Sequence, residues 1–203
     1  RRMLLRISLL VLLLAALPLA MSCGDDDDDG NGATGTPTSE RGHGTPYPAM
    51  ILASEAFKDG ENIPVEFTCD GDRTSPQLQW TVAPSNARAF VLIVHDPDAP
   101  RADGFTHWIV YDIPVGSAHL DPGISPNGQL PDGAKEGKNS AGDNAYAPPC
   151  PPRADEAHHY VFTLYALDLP LGLEEGKSKA DVEKAMQNHI LSQATLTGLY
   201  ARK

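Results

Sequence analysis

The sequence predicts a mainly β domain, and three observations support that fold class. Apolar runs rich in β-branched and aromatic residues occur at Val91–Val94, Trp108–Tyr111 and His158–Leu167, as is typical of buried strands. Residues 78–82 alternate apolar and polar side chains, which favours a half-buried strand. Only the segment that begins at Ser178 has the apolar spacing of an amphipathic helix.

Several shorter segments complete the expected secondary structure. Turn residues flank each of them, and their own residues have moderate strand propensity. The strands predicted in this way are Met50–Ala53, Val65–Phe67, Leu78–Val82, Ala118–Leu120, Ala134–Lys138 and a final strand Ala194–Ala201.

The predicted helix has a recognisable start and one apolar face. Ser178 followed three residues later by Asp181 resembles a capping box. The residues spaced to share one helical face are Val182, Ala185, Met186, His189 and Ile190.

The first 22 residues have the pattern of a secretory signal peptide. Arg1, Arg2 and Arg6 precede the apolar run Ile7–Leu17, which is too short to span a bilayer comfortably. The segment Leu19–Cys23 resembles a bacterial lipobox, in which the cysteine is acylated. We therefore expect an exported lipoprotein anchored through Cys23; a plain signal peptide with an incidental cysteine is the alternative.

The next segment predicts a tether between that anchor and the folded domain. Residues 23–46 are rich in Asp, Gly, Thr, Ser and Pro and have no apolar periodicity, which is typical of a disordered linker. The expected organisation is therefore a signal peptide at 1–22, a linker at 23–46 and a β-rich domain at 47–203.

The overall charge restricts the partners. The chain has 16 Lys and Arg against 27 Asp and Glu, for a net charge of −11. A protein of this charge has no basic stripe with which to replace the counterions of nucleic acid. Any anion site must therefore depend on a few local hydrogen-bond donors.

Polar side chains collect at the ends of the predicted strands. Alternation along the strand that begins at His158 places His158 and Tyr160 on one face and His159 on the other. Because the ends of adjacent strands can converge, a shared pocket is plausible. The candidates are Asp96, Asp98, His107, Cys150, His158, His159 and Tyr160.

The residues alone leave several interpretations open. His107, His158 and a carboxylate could bind zinc, although the short ligand spacings of zinc motifs are absent. A nucleophilic hydrolase would need an activated Ser or Cys, but the sequence has no G-x-S-x-G elbow. A small anion pocket could use His and Tyr donors. In the structural alternative, Asp96 and Asp98 cap a turn and His107 is a hydrogen-bonded core residue.

Four motifs resemble those of one known family. They are Asp70–Trp80 (DGDRTSPQLQW), Asp96–Pro100 (DPDAP), His107-Trp108, and Tyr146–Pro152 followed by the strand from His158. Together they resemble the phosphatidylethanolamine-binding protein family, and within it the bacterial Raf kinase inhibitor-like, YbhB/YbcL-type branch. The resemblance covers residues 49–201.

The resemblance implies a sandwich-like fold of antiparallel β-sheets with a short crossover helix and a C-terminal helix. It also implies a pocket for phosphate, acetate or a phospholipid head group, walled by Asp96, His107, His158 and Tyr160. In this family the position of Cys150 supplies a backbone N–H to the anion, and the bond Ala99-Pro100 is expected to be cis. Supporting positions are Pro97, Asp98, Pro100 and Tyr146.

The resemblance also implies a disulfide. Cys69 and Cys150 flank two loops that the family brings to the same end of the molecule, so we predict that they are bonded to each other. The sequence departs from the family at His159, where arginine is common, and at Ala147 and Pro148, where glycines are common.

We therefore expect a non-enzymatic, lipid-anchored binding protein that needs no cofactor and no metal. Its expected partners are a small anion or phospholipid head group and the membrane that holds the anchor. The alternatives are an inhibitor of a protease-type partner, acting through the pocket rim, and a hydrolase of phosphorylated or esterified compounds. We expect Asp96 to orient His107, and anion affinity to rise as the pH falls through about 6.5.

Overall fold

The computed structural model describes residues 49–81 and 83–203. The predicted signal peptide, the acylation site Cys23, the linker and the strand position Val82 lie outside the described residues. None of the helices in the described part of the chain is long and apolar enough to cross a membrane.

Two antiparallel sheets form the domain, which confirms the mainly β fold class. A three-stranded sheet has the order β1-β2-β5, and a five-stranded sheet has the order β6-β4-β3-β7-β8. The strands are β1 Ile51–Ala53, β2 Leu78–Thr81, β3 Ala89–Asp96, β4 Phe105–Pro114, β5 His119–Leu120, β6 Lys135–Glu136, β7 His158–Leu167 and β8 Ile190–Tyr200.

Two short helices accompany the sheets. Helix α1, Ile124–Asn127, is a single irregular turn, and helix α2 runs over Lys179–Met186. The capping box of α2 is confirmed, because the Ser178 side chain accepts from the Asp181 N–H while the Asp181 side chain accepts from the Ser178 N–H. Strand β8 follows α2 and is the last element of the chain.

Three predicted elements differ from those observed, one of them the final strand, which begins at Ile190 and not at Ala194. Val65–Phe67 is a 3₁₀ turn, not a strand, because the N–H and hydroxyl of Thr68 both donate back to the Val65 carbonyl. Helix α2 ends at Met186 and does not extend through the predicted face to Ile190, which begins β8. Asn188 has a φ of 68°, and such a left-handed residue stops a helix.

The large sheet is covered on both faces. Between the sheets, apolar side chains from β1, β2 and β5 pack against Leu92, Trp108 and Phe162 of the large sheet. On the opposite face, Val182 and Met186 of α2 pack on Val91 and Ile109. The large sheet is therefore a central layer, and its strand ends are available for a site.

The predicted disulfide is confirmed. Cys69 and Cys150 are bonded, with their Cα atoms 5.3 Å apart. The Cys69 N–H also donates to the Pro149 carbonyl at 3.0 Å. The loop after the 3₁₀ turn is thus fixed to the proline-rich segment 146–152.

Candidate functional site

A cavity of about 240 Å³ lies where the ends of β3, β4 and β7 meet the proline-rich segment. All five residues predicted to form an anion pocket line it: Asp96, His107, Cys150, His158 and Tyr160. The rest of the lining consists of Ala99, Pro100, Arg101, Phe105, Pro148, Pro151 and Pro152.

A β-bulge in β4 aims His107 at this cavity. The pairing between β3 and β4 passes from Val94 opposite Trp108 to His95 opposite Thr106, so His107 is an extra residue without a partner. A bulge re-aims side chains that alternation would otherwise send to opposite faces. Because of it, Trp108 enters the core between the sheets while His107 contacts Tyr160, with ring centroids 5.0 Å apart.

Asp96 is 3 % exposed, and both of its oxygens are engaged. Its Oδ1 accepts from the backbone N–H groups of Asp98 and Ala99 at 2.8 and 3.1 Å. Its Oδ2 accepts from His158 Nδ1 at 2.8 Å. The carboxylate therefore caps the turn after β3, as the structural alternative proposed, and also orients an imidazole.

The imidazole that Asp96 orients is His158, and the expectation that it orients His107 is wrong. His107 Nε2 lies 4.0 Å from Asp96 Oδ2, which is too long for a hydrogen bond. His107 is held instead by its Nδ1, which lies 2.7 Å from the Ala147 carbonyl oxygen. The Ala147 N–H in turn donates to the His107 carbonyl at 2.8 Å, so two hydrogen bonds join β4 to the proline-rich segment.

The hydrogen bond to Ala147 fixes the tautomer of His107. A carbonyl oxygen can only accept, so Nδ1 carries the proton, and in the neutral ring Nε2 is an acceptor. Burial lowers the pKa of His107 to about 4, because the charged ring is poorly solvated. His107 is therefore neutral near pH 7, and its own titration does not supply the expected rise in affinity at about pH 6.5.

Tyr160 is the second buried group with unused hydrogen-bonding capacity in this cavity. Neither its hydroxyl nor His107 Nε2 has a hydrogen-bond partner among the described residues, and both atoms are inaccessible to solvent. Burial raises the pKa of Tyr160, because the phenolate would be poorly solvated. The side chain therefore keeps its proton and can donate it.

His158 lies between two carboxylates. Its Nδ1 donates to Asp96, and its Nε2 is 3.6 Å from Oδ2 of Asp155, three residues earlier. The ring is 5 % exposed. His159 points away, as alternation predicted, and its backbone N–H and ring Nδ1 both contact exposed Asp98 at 2.8 and 2.7 Å.

The supporting positions divide between the cavity and the scaffold. Pro100 lines the cavity, whereas Pro97 and Asp98 are exposed beside it. Tyr146 is buried outside the lining, where its hydroxyl donates to the Phe67 carbonyl at 3.0 Å. The peptide bond Ala99-Pro100 is trans, contrary to the expectation; the described cis bond is Ser125-Pro126.

Three residues of the site were not predicted from the sequence. The Arg101 guanidinium lies 5.1 Å from the centre of the Phe105 ring, and both side chains line the cavity. Asp155 faces His158 from the rim. Phe105 and His107 are two positions apart on one strand, so alternation could have indicated Phe105. Arg101 and Asp155 are exposed loop residues with no such signal.

The zinc and hydrolase alternatives each require particular side chains. Within residues 49–81 and 83–203, no three His, Cys, Asp or Glu side chains are arranged to hold a metal ion. Among the described residues the cavity lining includes no serine or threonine, and the sulfur of Cys150 is in the disulfide.

Comparisons with known proteins agree with this fold. The profile described as "PBP: Phosphatidylethanolamine-binding protein" matches residues 53–201. The chain therefore belongs to the phosphatidylethanolamine-binding protein family. A "UPF0098 protein" of Methanothermobacter thermautotrophicus is 46 % identical over 153 residues, which are 75 % of this chain and 99 % of the relative.

One solved structure and a further relative indicate the branch of that family to which the chain belongs. The crystal structure of Escherichia coli YbcL, described as "a new member of the mammalian PEBP family", has a TM-score of 0.72 and 31 % identity, over 76 % of this chain and 99 % of YbcL. A Mycobacterium tuberculosis protein named "Putative lipoprotein LppC" is 39 % identical over 77 % of this chain and 76 % of its own length. The chain thus falls in the bacterial and archaeal UPF0098/YbcL-type branch.

Proposed function

We propose that this protein binds a small oxyanion, such as phosphate or the phosphate of a lipid head group, in the cavity beside Asp96. One observation carries the proposal: His107 Nε2 and the Tyr160 hydroxyl are both buried, unpartnered among the described residues, and part of one cavity lining. A buried polar group without a partner costs about 1–3 kcal/mol. A ligand that reaches both groups recovers that free energy, and since neither atom is exposed to solvent, side chains of the cavity rim must shift to admit it.

The charges around the cavity favour a small anion despite the acidic chain. Both oxygens of Asp96 are occupied by hydrogen bonds, so this carboxylate is not directed at a ligand. The Arg101 guanidinium at the rim supplies a positive charge. A local arrangement of this kind can hold an anion against an unfavourable overall field.

The proposed activity is binding without turnover. Nucleophilic catalysis by serine, threonine or cysteine would need an activated hydroxyl or thiol, and the described lining offers no serine, threonine or free thiol. The neutral His107 has its protonated nitrogen committed to the Ala147 carbonyl. It therefore has no proton to give as a general acid.

We further propose that the protein works outside the cytoplasm, anchored through an acylated Cys23. The Cys69–Cys150 disulfide supports export, because disulfides persist in oxidising compartments. The name of the 39 % identical Mycobacterium tuberculosis relative and the signal-peptide pattern of residues 1–22 support the lipid anchor.

Calorimetric titration with inorganic phosphate tests the binding proposal. The protein is purified without phosphate or acetate, and His107→Ala is compared with His119→Ala, whose ring is exposed at β5. We expect saturable binding that His107→Ala removes and His119→Ala retains. Absence of binding to phosphate, acetate and phosphoethanolamine at about millimolar concentration contradicts the proposal, and release of phosphate from phosphomonoesters would indicate an enzyme instead.

A further inference from the structure

An open groove of about 520 Å³ adjoins the anion cavity but is separate from it. Pro152 lines the anion cavity, and the next residue, Arg153, lines the groove. His158 and Tyr200 lie opposite each other on β7 and β8 and are divided in the same way, with His158 in the cavity and Tyr200 in the groove. The groove is therefore a second surface at this end of the domain.

Positive charge collects at this groove, although the chain as a whole is acidic. Arg153 and Lys203 line it, and among the described residues Asp70 is the only acid in the lining. Asp70 is already bonded, because its oxygens accept from Arg202 Nη2 and Nε at 2.9 and 3.1 Å and from the Tyr200 hydroxyl at 2.7 Å. Three cations against one carboxylate leave a local net charge of +2, in a chain whose net charge is −11.

Two of these cations lack a carboxylate partner within the part of the chain that the structure describes. Arg153 donates to the main-chain carbonyl of Lys203, and both side chains are exposed. The pKa of Asp70 is lowered to about 2 by hydrogen bonds from Arg202 and Tyr200, and the charge of Arg153 adds to this effect. The field of Arg153 thus extends over the groove, which suits an anionic occupant.

We propose that the groove is the docking site of the five consecutive aspartates Asp25–Asp29, which lie in the tether that precedes the domain. They are the longest run of like charge in the chain, and their charge is complementary to that of the groove. A partner from solution would have to compete with a segment of the same chain, whose effective concentration is in the millimolar range. The tether itself is therefore the favoured occupant.

The tether is long enough for this contact. Asp29 precedes Ala49, the first described residue, by 20 residues. A flexible chain of that length has an r.m.s. reach of about 25 Å and a full extension of about 70 Å, whereas a domain of this size is about 40 Å across. Strand β1, which begins two residues after Ala49, contacts β8, and the last residue of β8 is Tyr200 in the groove.

Docking of this segment has a consequence for the proposed lipid anchor. Asp25 follows Cys23 by two residues, so the docked segment holds the acylation site beside the groove and close to the anion cavity. This consequence rests on the proposed anchoring of Cys23, whereas the docking depends only on charge and reach.

A nitroxide on Cys23 tests the docking by NMR, because Cys69 and Cys150 are bonded to each other and leave Cys23 as the free thiol. The sample is the unacylated chain 23–203, compared before and after the nitroxide is reduced. We expect the amides of Val65 and Arg153 to lose most of their intensity at about 0.01 M salt, where charges act over about 30 Å, and to recover it at about 1 M, where they act over about 3 Å.

Matched variants decide the outcome. Replacing the five residues by asparagine, from Asp25→Asn to Asp29→Asn, keeps the length of the tether and should abolish the intensity loss. Arg153→Gln combined with Lys203→Gln should abolish it too, whereas Lys184→Gln, which removes an exposed cation of α2, should not.

Three results would overturn the proposal. They are no intensity loss at the groove, an equal loss in the five-asparagine variant, and a loss in an isotope-labelled chain that is mixed with a separate nitroxide-labelled chain. The last result would assign the groove to a second copy of the protein. The phosphate titration is independent of all three, so failure of the docking leaves the proposed function in place.

Discussion

At the scale of single residues, His107 and Tyr160 differ from the other polar groups of the site. Both oxygens of Asp96, the Nδ1 of His158 and the backbone of Ala147 have hydrogen-bond partners within the protein. His107 Nε2 and the Tyr160 hydroxyl are not. The satisfied groups therefore set the geometry, and the two unsatisfied groups are left for a ligand.

Replacing Tyr160 by Phe tests whether the Tyr160 hydroxyl binds the ligand without stabilising the fold. We expect phosphate affinity to fall by about 5–15-fold, which corresponds to about 1–1.5 kcal/mol for one hydrogen bond. The free energy of unfolding without ligand should not fall, since the hydroxyl that is removed has no partner among the described residues. Calorimetry and denaturant unfolding measure the two effects.

Tyr165→Phe is the matched control, because Tyr165 lies on the same strand and packs on the opposite face of the large sheet. It should leave phosphate affinity unchanged. Equal losses of affinity in the two variants would contradict a specific role for the Tyr160 hydroxyl.

Replacing Asp96 by Asn tests which imidazole this carboxylate orients. The Asn oxygen can still accept from the Asp98 and Ala99 N–H groups, but its amide cannot accept from His158 Nδ1. We expect the His158 proton to move to Nε2 and the free energy of unfolding to fall by about 1–3 kcal/mol. Nitrogen chemical shifts of the His158 ring report the tautomer.

Asp98→Asn makes the same chemical change two residues away, in an exposed contact with His159. It should alter the free energy of unfolding by less than about 1 kcal/mol. A His158 ring that keeps its proton on Nδ1 in Asp96→Asn would show that Asp96 does not set the tautomer.

Which residues belong to the site was partly predictable, but how they bond was not. Alternation correctly separates His158 and Tyr160 from His159, since it depends only on strand geometry. The partner of Asp96 depends on the relative position of three strands within an ångström, and the bond from His107 goes to the backbone of a distant loop. A sequence pattern does not indicate which backbone carbonyl a side chain will contact.

At the scale of elements, the bulge in β4 decides the position of His107. In a regular strand, His107 and Trp108 would face opposite sides of the sheet. Here Trp108 enters the core and His107 contacts Tyr160, which faces the same core. Strict alternation therefore could not predict that His107 and Trp108 face the same side of the sheet. The bounds of β7 were predicted correctly, because that strand pairs regularly along most of its length.

The pairing of β7 and β8 places Tyr160 opposite Gly198. The segment before the 3₁₀ turn crosses at this point, with the Ile63 N–H donating to the Leu199 carbonyl at 2.8 Å. A Cβ on Gly198 would lie 2.8 Å from Phe57 Cε2 and would also overlap the Ile63 side chain. The absence of a side chain at Gly198 thus allows Ile63 and Phe57 to pack closely on the backbone of β8.

Gly198→Ala is expected to lower the free energy of unfolding by about 1–3 kcal/mol, because the added methyl overpacks this region. Denaturant unfolding measures the change. Gly116→Ala serves as the control, since a Cβ there meets nothing within 4 Å. If the two variants are equally stable, the contact between the crossing segment and β8 is looser than described.

At the scale of the whole molecule, the disulfide connects the scaffold to the cavity. Cys69 follows the 3₁₀ turn, and Cys150 lines the cavity among the prolines. Two cysteines in an exported domain already favoured one disulfide, and the family resemblance predicted that their loops lie at the same end of the molecule. The bond spans 81 residues of sequence, so it constrains a large part of the unfolded chain.

Replacing both Cys69 and Cys150 by Ser should lower the free energy of unfolding by up to about 4 kcal/mol in the chain-entropy model. Phosphate affinity should fall as well, because the rim segment 148–152 loses a covalent attachment. Unchanged stability, measured by denaturant unfolding, would contradict the structural role of this bond. Reduced stability with unchanged affinity would limit that role to the scaffold.

The central claim is that an anion binds between β3, β4 and β7, and ring-selective NMR of the histidines during a phosphate titration tests it most directly. We expect saturable shifts of the His107 and His158 ring signals, with those of His119 and His189, which lie outside the cavity lining, unchanged at the same phosphate concentration. Shifts confined to His119 and His189, or no saturable shift at His107, would contradict anion binding at this site.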